Sequence, residues 1–278
     1  MPRVQADAFD DLRQAWWVYL TGGTNYDLGN SLVKTRVQSI TTTANNYWNS
    51  MNKSPTRTYL WSDLASTTVS AHIASAYSRL RALALAHATY GSTLRGNAAL
   101  AADIQSGLDW MHAHRYHPGQ AQYDNWYHWE IGAPIDLTDI AGLMYDTLGL
   151  AGLSPALDTV EYFTPLPTQH GRPGTFTGAN LADRIRIVGV RGAVVKDAAK
   201  LVAARDALSR LFPFVTRGDG FYEDGSFIQH TAVPYTGSYG NVLLTDLAAL
   251  LPWLQDSPWA CTDPARTNVL RWVYDSYE

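Results

Sequence analysis

A histidine and a tyrosine lie nine residues apart in a stretch with the composition of a loop, DGFYEDGSFIQHTAVPYTGSYGN (219–241). It contains four glycines and three tyrosines in 23 residues, a mixture that neither a helix nor a buried strand favours. A histidine titrates near neutrality and a tyrosine hydroxyl becomes basic beside a cation, so His230 and Tyr239 are candidates for a proton-transfer pair. The alternative is a hydrogen-bonded loop histidine with Tyr239 packed beneath it.

An asparagine ends the sequence TGAN, directly before the helical pattern LADRIRIVGVRGAVVKDAAK. Two roles are open for this residue, Asn180. Asparagine is favoured at a helix N-cap, where its side chain accepts a hydrogen bond from the first backbone amides. Its neutral amide is also suited to donating a hydrogen bond to a substrate carboxylate that gains charge during a reaction.

Aromatic residues follow one another in the segment NWYHWE (125–130). Four consecutive rings cannot all face one core, so one or two of them must face solvent or a ligand. The whole chain has 10 Trp and 16 Tyr against 7 Phe, and a flat apolar ring with a polar group is suited to binding sugars. The segment is therefore either a stacking platform for a saccharide or an aromatic plug at the start of a helix.

Charge and hydropathy exclude two classes of partner. The net charge is −4 and no basic arm is present, so nucleic acid is not an expected partner. No run of 18 apolar residues occurs, so we expect no membrane-spanning helix. The single cysteine, Cys261, cannot form an internal disulfide and is interpreted as a small packed side chain.

Common signatures of other chemistries are absent or incomplete. His112, His114 and His117 are close in sequence, but residues i and i+2 of a helix lie on different faces and no carboxylate pair is near, so we predict no metal site. Nucleophile elbows, phosphate-binding loops and dinucleotide fingerprints do not occur, which disfavours acyl, phosphoryl and hydride transfer.

Helical periodicity dominates the rest of the chain and predicts one all-α domain of antiparallel helical hairpins, residues 1–278. No segment alternates apolar and polar residues long enough to predict a sheet. Three segments interrupt the helical pattern and are expected to line a cleft: 114–134, 165–180 and 219–241. The predicted helices are 6–20, 30–51, 71–91, 95–115, 136–149, 180–212, 241–254 and 265–277.

Three sequence motifs, NWYHWEIG, TGAN and DGSFIQHTAVPYTGSYGNVLL, resemble the α-domain of polysaccharide lyase family 8, which includes hyaluronate, chondroitin AC and xanthan lyases. Their order and spacing are similar to the family pattern, with Asn180 about 50 residues before His230 and Tyr239 nine after it. The likeness runs from about Phe9 to the end of the chain. It implies an incomplete (α/α) toroid that binds an acidic polysaccharide and cleaves it by β-elimination at a uronic acid without a cofactor.

The resemblance also implies a role for each matching residue. Asn180 would bind the uronate carboxyl group, Tyr239 would take the C5 proton and return one to the leaving oxygen, and His230 would be its partner in proton transfer. Tyr127 stands where the family usually has Trp. The expected substrate-binding residues are Asn125, Trp126, Tyr127, Trp129 and Phe176.

The substrate expected from the resemblance is xanthan, because NNYWNSM, RTYLW and NWYHWEIGAP are most similar to xanthan lyases. GSFIQHTAVPYTGSYG is instead similar to chondroitin AC lyases, and the Glu of HWEIG to hyaluronate lyases, so these remain alternatives. Two other functions stay open: a polysaccharide-binding module without turnover, and a glycoside hydrolase that uses Glu130 with Glu223 or Asp224.

The resemblance implies further sequence beyond Glu278, namely an arginine-bearing helical segment and β-sandwich domains against which a monomeric α-domain packs. Without that arginine, we expect poor turnover with an alkaline optimum, unless His230, Arg184 or Arg217 replaces it. The first residues, MPRVQADAFDDLR, lack the apolar segment of a signal peptide. We nevertheless expect a secreted protein whose signal peptide is not in this sequence.

Overall fold

The computed structural model describes residues 7–169 and 175–278, and helices dominate these residues, which confirms the predicted all-α class. The chain divides into two compact units, and the single domain stays a prediction. Arg13–Phe163 forms one, here called the first unit, and the second unit contains Thr164–Glu278 with the start of the first helix up to Leu12. The helices are α1 (Ala8–Thr21), α2 (Ser31–Ser50), α3 (Ala71–Ala88), α4 (Ala98–His114), α5 (Ala133–Phe163), α6 (Gly178–Val195), α7 (Ala198–Leu208), α8 (Asn241–Gln255) and α9 (Asn268–Tyr277).

Side-chain caps fix the start of several helices. Asn30 Oδ1 accepts hydrogen bonds from the backbone amides that begin α2, and Asn97 Oδ1 does the same for α4. The single helix predicted over 180–212 is instead two helices. Lys196 adopts a left-handed conformation (φ 59°) that ends α6, and Asp197 then caps α7 by accepting from Ala199 N and Lys200 N.

The core of the first unit lies around α3, which packs against α2, α4 and α5. Leu80 and Ile140 are fully buried there, and each such side chain contributes roughly 1.5–3 kcal/mol by leaving water. The buried carboxylate of Asp139 is compensated within this core. It accepts from Trp16 Nε1 at 3.0 Å and from Arg81 Nε at 2.7 Å, so its burial does not leave an unpaired charge.

Helix α5, taken together with the π-helical turn His128–Gly132, is long and apolar enough to cross a membrane by length and composition. The sequence prediction missed this property because it required an unbroken apolar run. Gly149 interrupts the helix with φ 67° and ψ 167°, and helical structure resumes directly after it instead of ending there as predicted. We assign α5 to the core, because Leu137, Ile140 and Met144 are buried and the helix packs against α3.

The second unit contains a small sheet that the sequence did not predict. β1 (Gly220–Phe221), β2 (Phe227–Gln229) and β3 (Val233–Pro234) pair antiparallel in the order β1-β2-β3. These strands are too short to show an alternating pattern. Phe227 and Gln229 point inward from β2, and a π-helical turn, Thr236–Gly240, connects β3 to α8. α6 packs against α7, α8 and β2. Its contact with β2 holds the 219–241 loop against the start of α6, where Ala179 N donates to Gln229 Oε1.

Candidate functional site

The structure brings His230 and Tyr239 together. His230 follows β2 and Tyr239 lies in the π-helical turn before α8, and the two approach so that His230 Nε2 is 3.0 Å from Tyr239 Oη. Their rings are nearly perpendicular, with centroids 5.1 Å apart. His230 is exposed and Tyr239 partly exposed, so a ligand in solvent has access to both. The arrangement can move a proton between an imidazole nitrogen and a phenol oxygen.

The backbone that presents His230 is strained. His230 and Thr231 both have positive φ, 54° and 71°, and consecutive non-glycine residues in this region cost of order 1–3 kcal/mol each. Ala232 N donates to His230 O at 2.9 Å, and Thr231 N donates to Asp219 Oδ1 at 2.7 Å. These bonds offset part of the strain and fix the direction of the imidazole.

Asp219 and Gln229 connect this turn to the start of α6. Asp219 Oδ2 accepts from Gln229 Nε2 and from Thr177 Oγ1, both at 2.8 Å. The buried Gln229 in turn accepts from Ala179 N at 3.1 Å through Oε1. Gly178 is required at this junction, because its φ is 54° and a Cβ there would lie 2.3 Å from Gln229 Oε1. Sequence reasoning did not identify this brace, defined as Asp219, Gln229, Thr177 and Gly178.

Asn180 lies in the first turn of α6 and does not cap it. The helix begins at Gly178 after Thr177, so the N-cap interpretation of Asn180 is wrong. Its side chain is partly buried and makes no hydrogen bond within residues 7–169 and 175–278. Because Ala179 is bonded to Gln229, the brace holds Asn180 close to the turn that carries His230. The Asn180 amide therefore has no hydrogen-bond partner among the described residues, and its role as a ligand-binding group stays a prediction.

The surroundings of Tyr239 favour its protonated form. Burial raises the pKa of its phenol, and the nearby Tyr235 and Asp183 raise it further. Asp183 itself is buried, and burial together with the charge and hydrogen bond of Asp246 holds its pKa well above the usual range, against the opposing effect of Arg186. Arg186 Nη1 is 3.5 Å from Asp246 Oδ1.

Arg184, one of the two arginines proposed from the sequence to assist Tyr239, is used elsewhere. Its guanidinium donates to the backbone oxygens of Leu166 and Gln169 and lies 4.2 Å from the centroid of the Phe176 ring. No arginine is among the causes of the pKa shift of Tyr239. Phe176, predicted to bind substrate, is buried under this guanidinium and presents no open ring face in the structure.

In the first unit, Trp129 belongs to the core. It is fully buried, its Nε1 donates to Tyr123 O at 2.9 Å, and its ring contacts those of Tyr116, Tyr123 and Phe163. A ring without an exposed face cannot stack on a sugar in this conformation. The structure therefore gives Trp129 the role of the aromatic plug, which sequence reasoning had left as the alternative.

The other predicted aromatic residues face outward. Tyr127 is exposed, Trp126 is partly exposed, and their rings meet edge to face with centroids 6.3 Å apart. Asn125 is exposed and its Oδ1 accepts from Tyr127 N at 3.0 Å. We call Asn125, Trp126 and Tyr127 the aromatic surface. Below it, the Ser70 hydroxyl donates to Asp124 Oδ2 at 2.8 Å and lies 2.9 Å from His128 Nδ1, which fixes this segment.

Two chemistries considered from the sequence meet unfavourable geometry. Glu130, the proposed carboxyl group of a hydrolase, is buried and accepts from Gln122 Nε2 at 3.2 Å. Asp224 accepts from both the backbone and the hydroxyl of Ser226 within its own turn. In the part of the chain that the structure describes, no group of three or more His, Cys, Asp and Glu side chains is arranged to hold a metal ion.

Comparison with known proteins identifies relatives over almost the whole chain. Residues 16–278 match the family described as polysaccharide lyase family 8, N terminal alpha-helical domain. The chain is 43% identical over 275 residues to a xanthan lyase of Bacillus sp. (strain GL1) and 35% identical over 272 residues to hyaluronate lyase HylB of Enterococcus faecalis. These alignments cover 98% and 92% of this chain but 29% and 27% of the relatives, so the chain spans less than a third of their length.

Solved structures resemble the chain to a similar extent. A xanthan lyase from Paenibacillus matches with a TM-score of 0.91 and 45% identity, over 99% of this chain and 26% of that one. The chondroitin AC lyase of Streptomyces coelicolor A3, in complex with chondroitin sulphate, matches with a TM-score of 0.91 and 40% identity, over 98% and 36% of the two chains. The fold class predicted from the sequence is thereby confirmed.

Proposed function

Because the chain belongs to polysaccharide lyase family 8, we propose that it provides the helical catalytic part of a secreted lyase that cleaves an acidic polysaccharide by β-elimination at a uronic acid. We propose xanthan as the substrate, with cleavage of the side-chain mannosyl–glucuronate linkage. In support, the identity is higher to the two xanthan lyases than to the hyaluronate and chondroitin AC lyases.

The observation that carries the proposal is the 3.0 Å contact between His230 Nε2 and Tyr239 Oη, and the bond from Ala179 N to Gln229 supports it by connecting the neighbours of Asn180 and His230. β-Elimination requires removal of the C5 proton of a uronate and protonation of the oxygen that leaves C4. A proton acceptor, a proton donor and a group that stabilises the carboxyl are the three functions needed. The second unit presents residue types suited to each of them.

Asn180 supports the first step through hydrogen bonding. Removal of the proton from C5 places additional negative charge on the adjoining carboxylate, which makes C5–H a weak acid. A neutral amide that donates to the carboxyl stabilises that charge as it develops, and a preorganised donor of this kind contributes roughly 3–4 kcal/mol in other enzymes. The position of Asn180 in the first turn of α6 adds the positive end of the helix dipole.

His230 and Tyr239 support the proton steps as a unit. A tyrosine hydroxyl with its unperturbed pKa of about 10 is protonated at neutral pH. The surroundings of Tyr239 raise its pKa further. In the proposed sequence, the Tyr239 oxygen takes the C5 proton while its own proton passes to His230 Nε2. The C5–H electron pair forms the C4–C5 double bond as the C4–O bond breaks. Tyr239 then donates a proton to the leaving oxygen and recovers one from His230, which restores both residues.

A substrate panel tests the proposal. The protein is incubated separately with xanthan, hyaluronan and chondroitin, and the near-ultraviolet absorbance of the unsaturated uronate is followed together with the release of reducing ends. We expect absorbance to rise fastest with xanthan. New reducing ends without absorbance would identify a hydrolase and overturn the proposal. A faster rise with hyaluronan or chondroitin would support the lyase reaction but show that xanthan is not the preferred substrate. This outcome is worth testing, because the chain matches the xanthan lyase and the chondroitin AC lyase structures with the same TM-score of 0.91.

A further inference from the structure

A pocket of about 320 Å³ opens in the second unit, beside the turn that carries His230. Thr231, the residue after His230, lines it together with Asp219 and Gly178 of the brace. Arg210 and Arg217 line it as well. Sequence reasoning proposed Arg217 as an aid to Tyr239, but Arg217 is not among the causes of the pKa shift of that residue. The proton-transfer chemistry described above therefore uses neither arginine.

The two arginines bring more positive charge to this pocket than the carboxylate that lines it can balance. Neither guanidinium has an ion pair or a side-chain hydrogen bond within residues 7–169 and 175–278, and both residues are exposed. Among the described residues that line the pocket, Asp219 alone is acidic, and both of its oxygens already accept hydrogen bonds: from Thr231 N, and from Gln229 and Thr177. Two guanidinium groups and one carboxylate leave the pocket with an excess of positive charge.

The backbone at the wall of the pocket favours an anion too. Gly178 is the first residue of α6, where amide groups lack partners inside the helix and the helix dipole has its positive end. A Cβ at this position would lie 2.3 Å from Gln229 Oε1, so glycine allows the start of α6 to lie close to the brace at the wall of the pocket. The guanidinium fork matches the geometry of a carboxylate or sulfate and can bind it through two parallel hydrogen bonds.

We propose that Arg210 and Arg217 form a second anion-binding subsite, which binds a carboxylate or sulfate on a sugar other than the one being cleaved. The nature of the polymer rests on the function proposed above. Thr231 directly follows His230, so a polymer that places one uronate at the His230–Tyr239 pair runs past this pocket. The subsite contacts no reacting atom, and its contribution is expected in substrate binding and in the choice of acidic over neutral chains.

The test is the double variant Arg210→Gln/Arg217→Gln, compared with Arg205→Gln and Arg271→Gln in the second unit. The control arginines form ion pairs with Asp206 and Asp275 and do not line the pocket. Their variants therefore remove positive charge from the same unit without changing the proposed subsite. Initial rates of absorbance increase are measured over a range of salt concentrations and of concentrations of the polymer, out of xanthan, hyaluronan and chondroitin, that the parent cleaves fastest. We expect the double variant to raise KM about tenfold or more, because two charge-assisted contacts are lost, with kcat within about twofold. Its KM should also depend less on salt than that of the parent.

Two further arms identify the ligand. On carboxyl-reduced hyaluronan, which is neutral, the double variant and the parent should bind equally well. Comparison of hyaluronan with chondroitin sulfate shows whether carboxylate or sulfate accounts for the larger loss. Inorganic sulfate should compete with the polymer for the subsite in the parent, because only the parent holds the ion there. If sulfate weakens polymer binding by the parent and by the double variant to the same extent, the subsite is contradicted.

The inference and the proposed function can fail separately. If the parent produces absorbance and the double variant has the KM of the two controls, the subsite is wrong while the lyase proposal stands. A loss confined to kcat would also overturn the subsite, because it would mean that the arginines support the catalytic turn. If the parent produces no absorbance with any polymer, the lyase proposal fails, and affinity electrophoresis in hyaluronan gels still tests whether the double variant binds more weakly than the controls.

Discussion

The aromatic surface and the proton-transfer pair are both exposed, but different forces hold them. Below the aromatic surface, Trp129 is buried among other rings and the segment rests on core packing. The strands that lead to the His230–Tyr239 pair also rest on buried rings, those of Phe221 and Phe227, but the turn itself depends on left-handed backbone and on the brace of hydrogen bonds to α6. Packing fixes the place of a binding surface, whereas an oriented proton donor needs directional bonds. We therefore expect mutations in the first region to affect stability and those in the second to affect turnover.

The largest expected effect is that of Tyr239→Phe. This change removes the hydroxyl that carries the proton while keeping the ring, so turnover should fall by roughly 10²–10⁴-fold, as for loss of a general acid or base. Thermal stability and polymer binding should change little. Initial rates of absorbance increase and calorimetric Tm measure both effects.

The control for this change is Tyr235→Phe, which removes a hydroxyl from a ring 5.0 Å away between centroids. It should retain most of the activity. Turnover by Tyr239→Phe above roughly a tenth of the parent value would remove Tyr239 from the proton-transfer steps.

Trp129→Ala tests the other side of the comparison. Truncating a fully buried tryptophan should cost about 3–5 kcal/mol of unfolding free energy, because a cavity replaces its packing. Tyr127→Ala, on the exposed part of the same segment, should cost less than about 1 kcal/mol and weaken polymer binding instead. Chemical denaturation with an intrinsic fluorescence readout compares the two. Equal destabilisation would mean that packing does not separate the two residues as proposed.

Asn180→Asp changes the charge at the proposed carboxyl-binding position with almost no change in shape. The new carboxylate repels the substrate carboxylate in the transition state, and we expect kcat to fall by roughly 10²–10³-fold. Stability should hold, since an acidic side chain in the first turn of a helix is favourable. Full activity of the variant would exclude Asn180 from the reaction.

Asp219→Asn is expected to have a smaller effect, on positioning. The amide keeps the shape, but its nitrogen cannot accept a hydrogen bond, so at least one of the bonds from Thr231 N, Gln229 and Thr177 is lost and the others lose their charge assistance. We expect kcat to fall about tenfold with KM nearly unchanged. Asp224→Asn is the matched control, because the hydrogen bonds that Asp224 makes with described residues lie within its own turn. If both variants lose activity equally, the brace does not explain the orientation of His230.

The smallest expected effect concerns pH. Because the folded state raises the pKa of Asp183 above its usual 3.8, the folded protein keeps a proton that the unfolded chain releases, and stability falls as pH rises through that interval. Asp183→Asn removes the loss of stability that accompanies rising pH, and its side-chain amide can still donate a hydrogen bond to Asp246. We expect its Tm to exceed that of the parent more at about pH 7 than at about pH 4. A constant difference would contradict the pKa shift.

The helices could be predicted from the sequence, and the loops between them only in part. Apolar spacing identifies α3 and α4 because most of their energy comes from one buried face. The break between α6 and α7 escaped prediction, since a non-glycine left-handed residue such as Lys196 has no marker in the sequence. The three strands are two or three residues long, too short for a periodicity of two to be recognised.

The candidate site divides in a similar way. His230 and Tyr239 could be identified because both their chemistry and their separation lie within one stretch of sequence. The brace could not, since Asp219 and Gln229 bond to residues 42 and 50 positions away, and no local pattern encodes such distances. The burial of Trp129 was also missed, because the π-helical turn at 128–132 sets which ring points inward. Long-range hydrogen bonds and irregular turns therefore account for most of what remained unpredicted.

The brace sets a condition on any transfer of this loop into a designed protein. Residues 219–241 alone would carry His230 and Tyr239 to a new scaffold, but Gln229 would arrive without the backbone amide of Ala179 that it binds. A helix start with any residue other than glycine at the position of Gly178 would collide with the same side chain. The smallest transplantable unit is consequently discontinuous, consisting of the loop and the TGAN turn together, and a library that varies either piece alone will recover few active members.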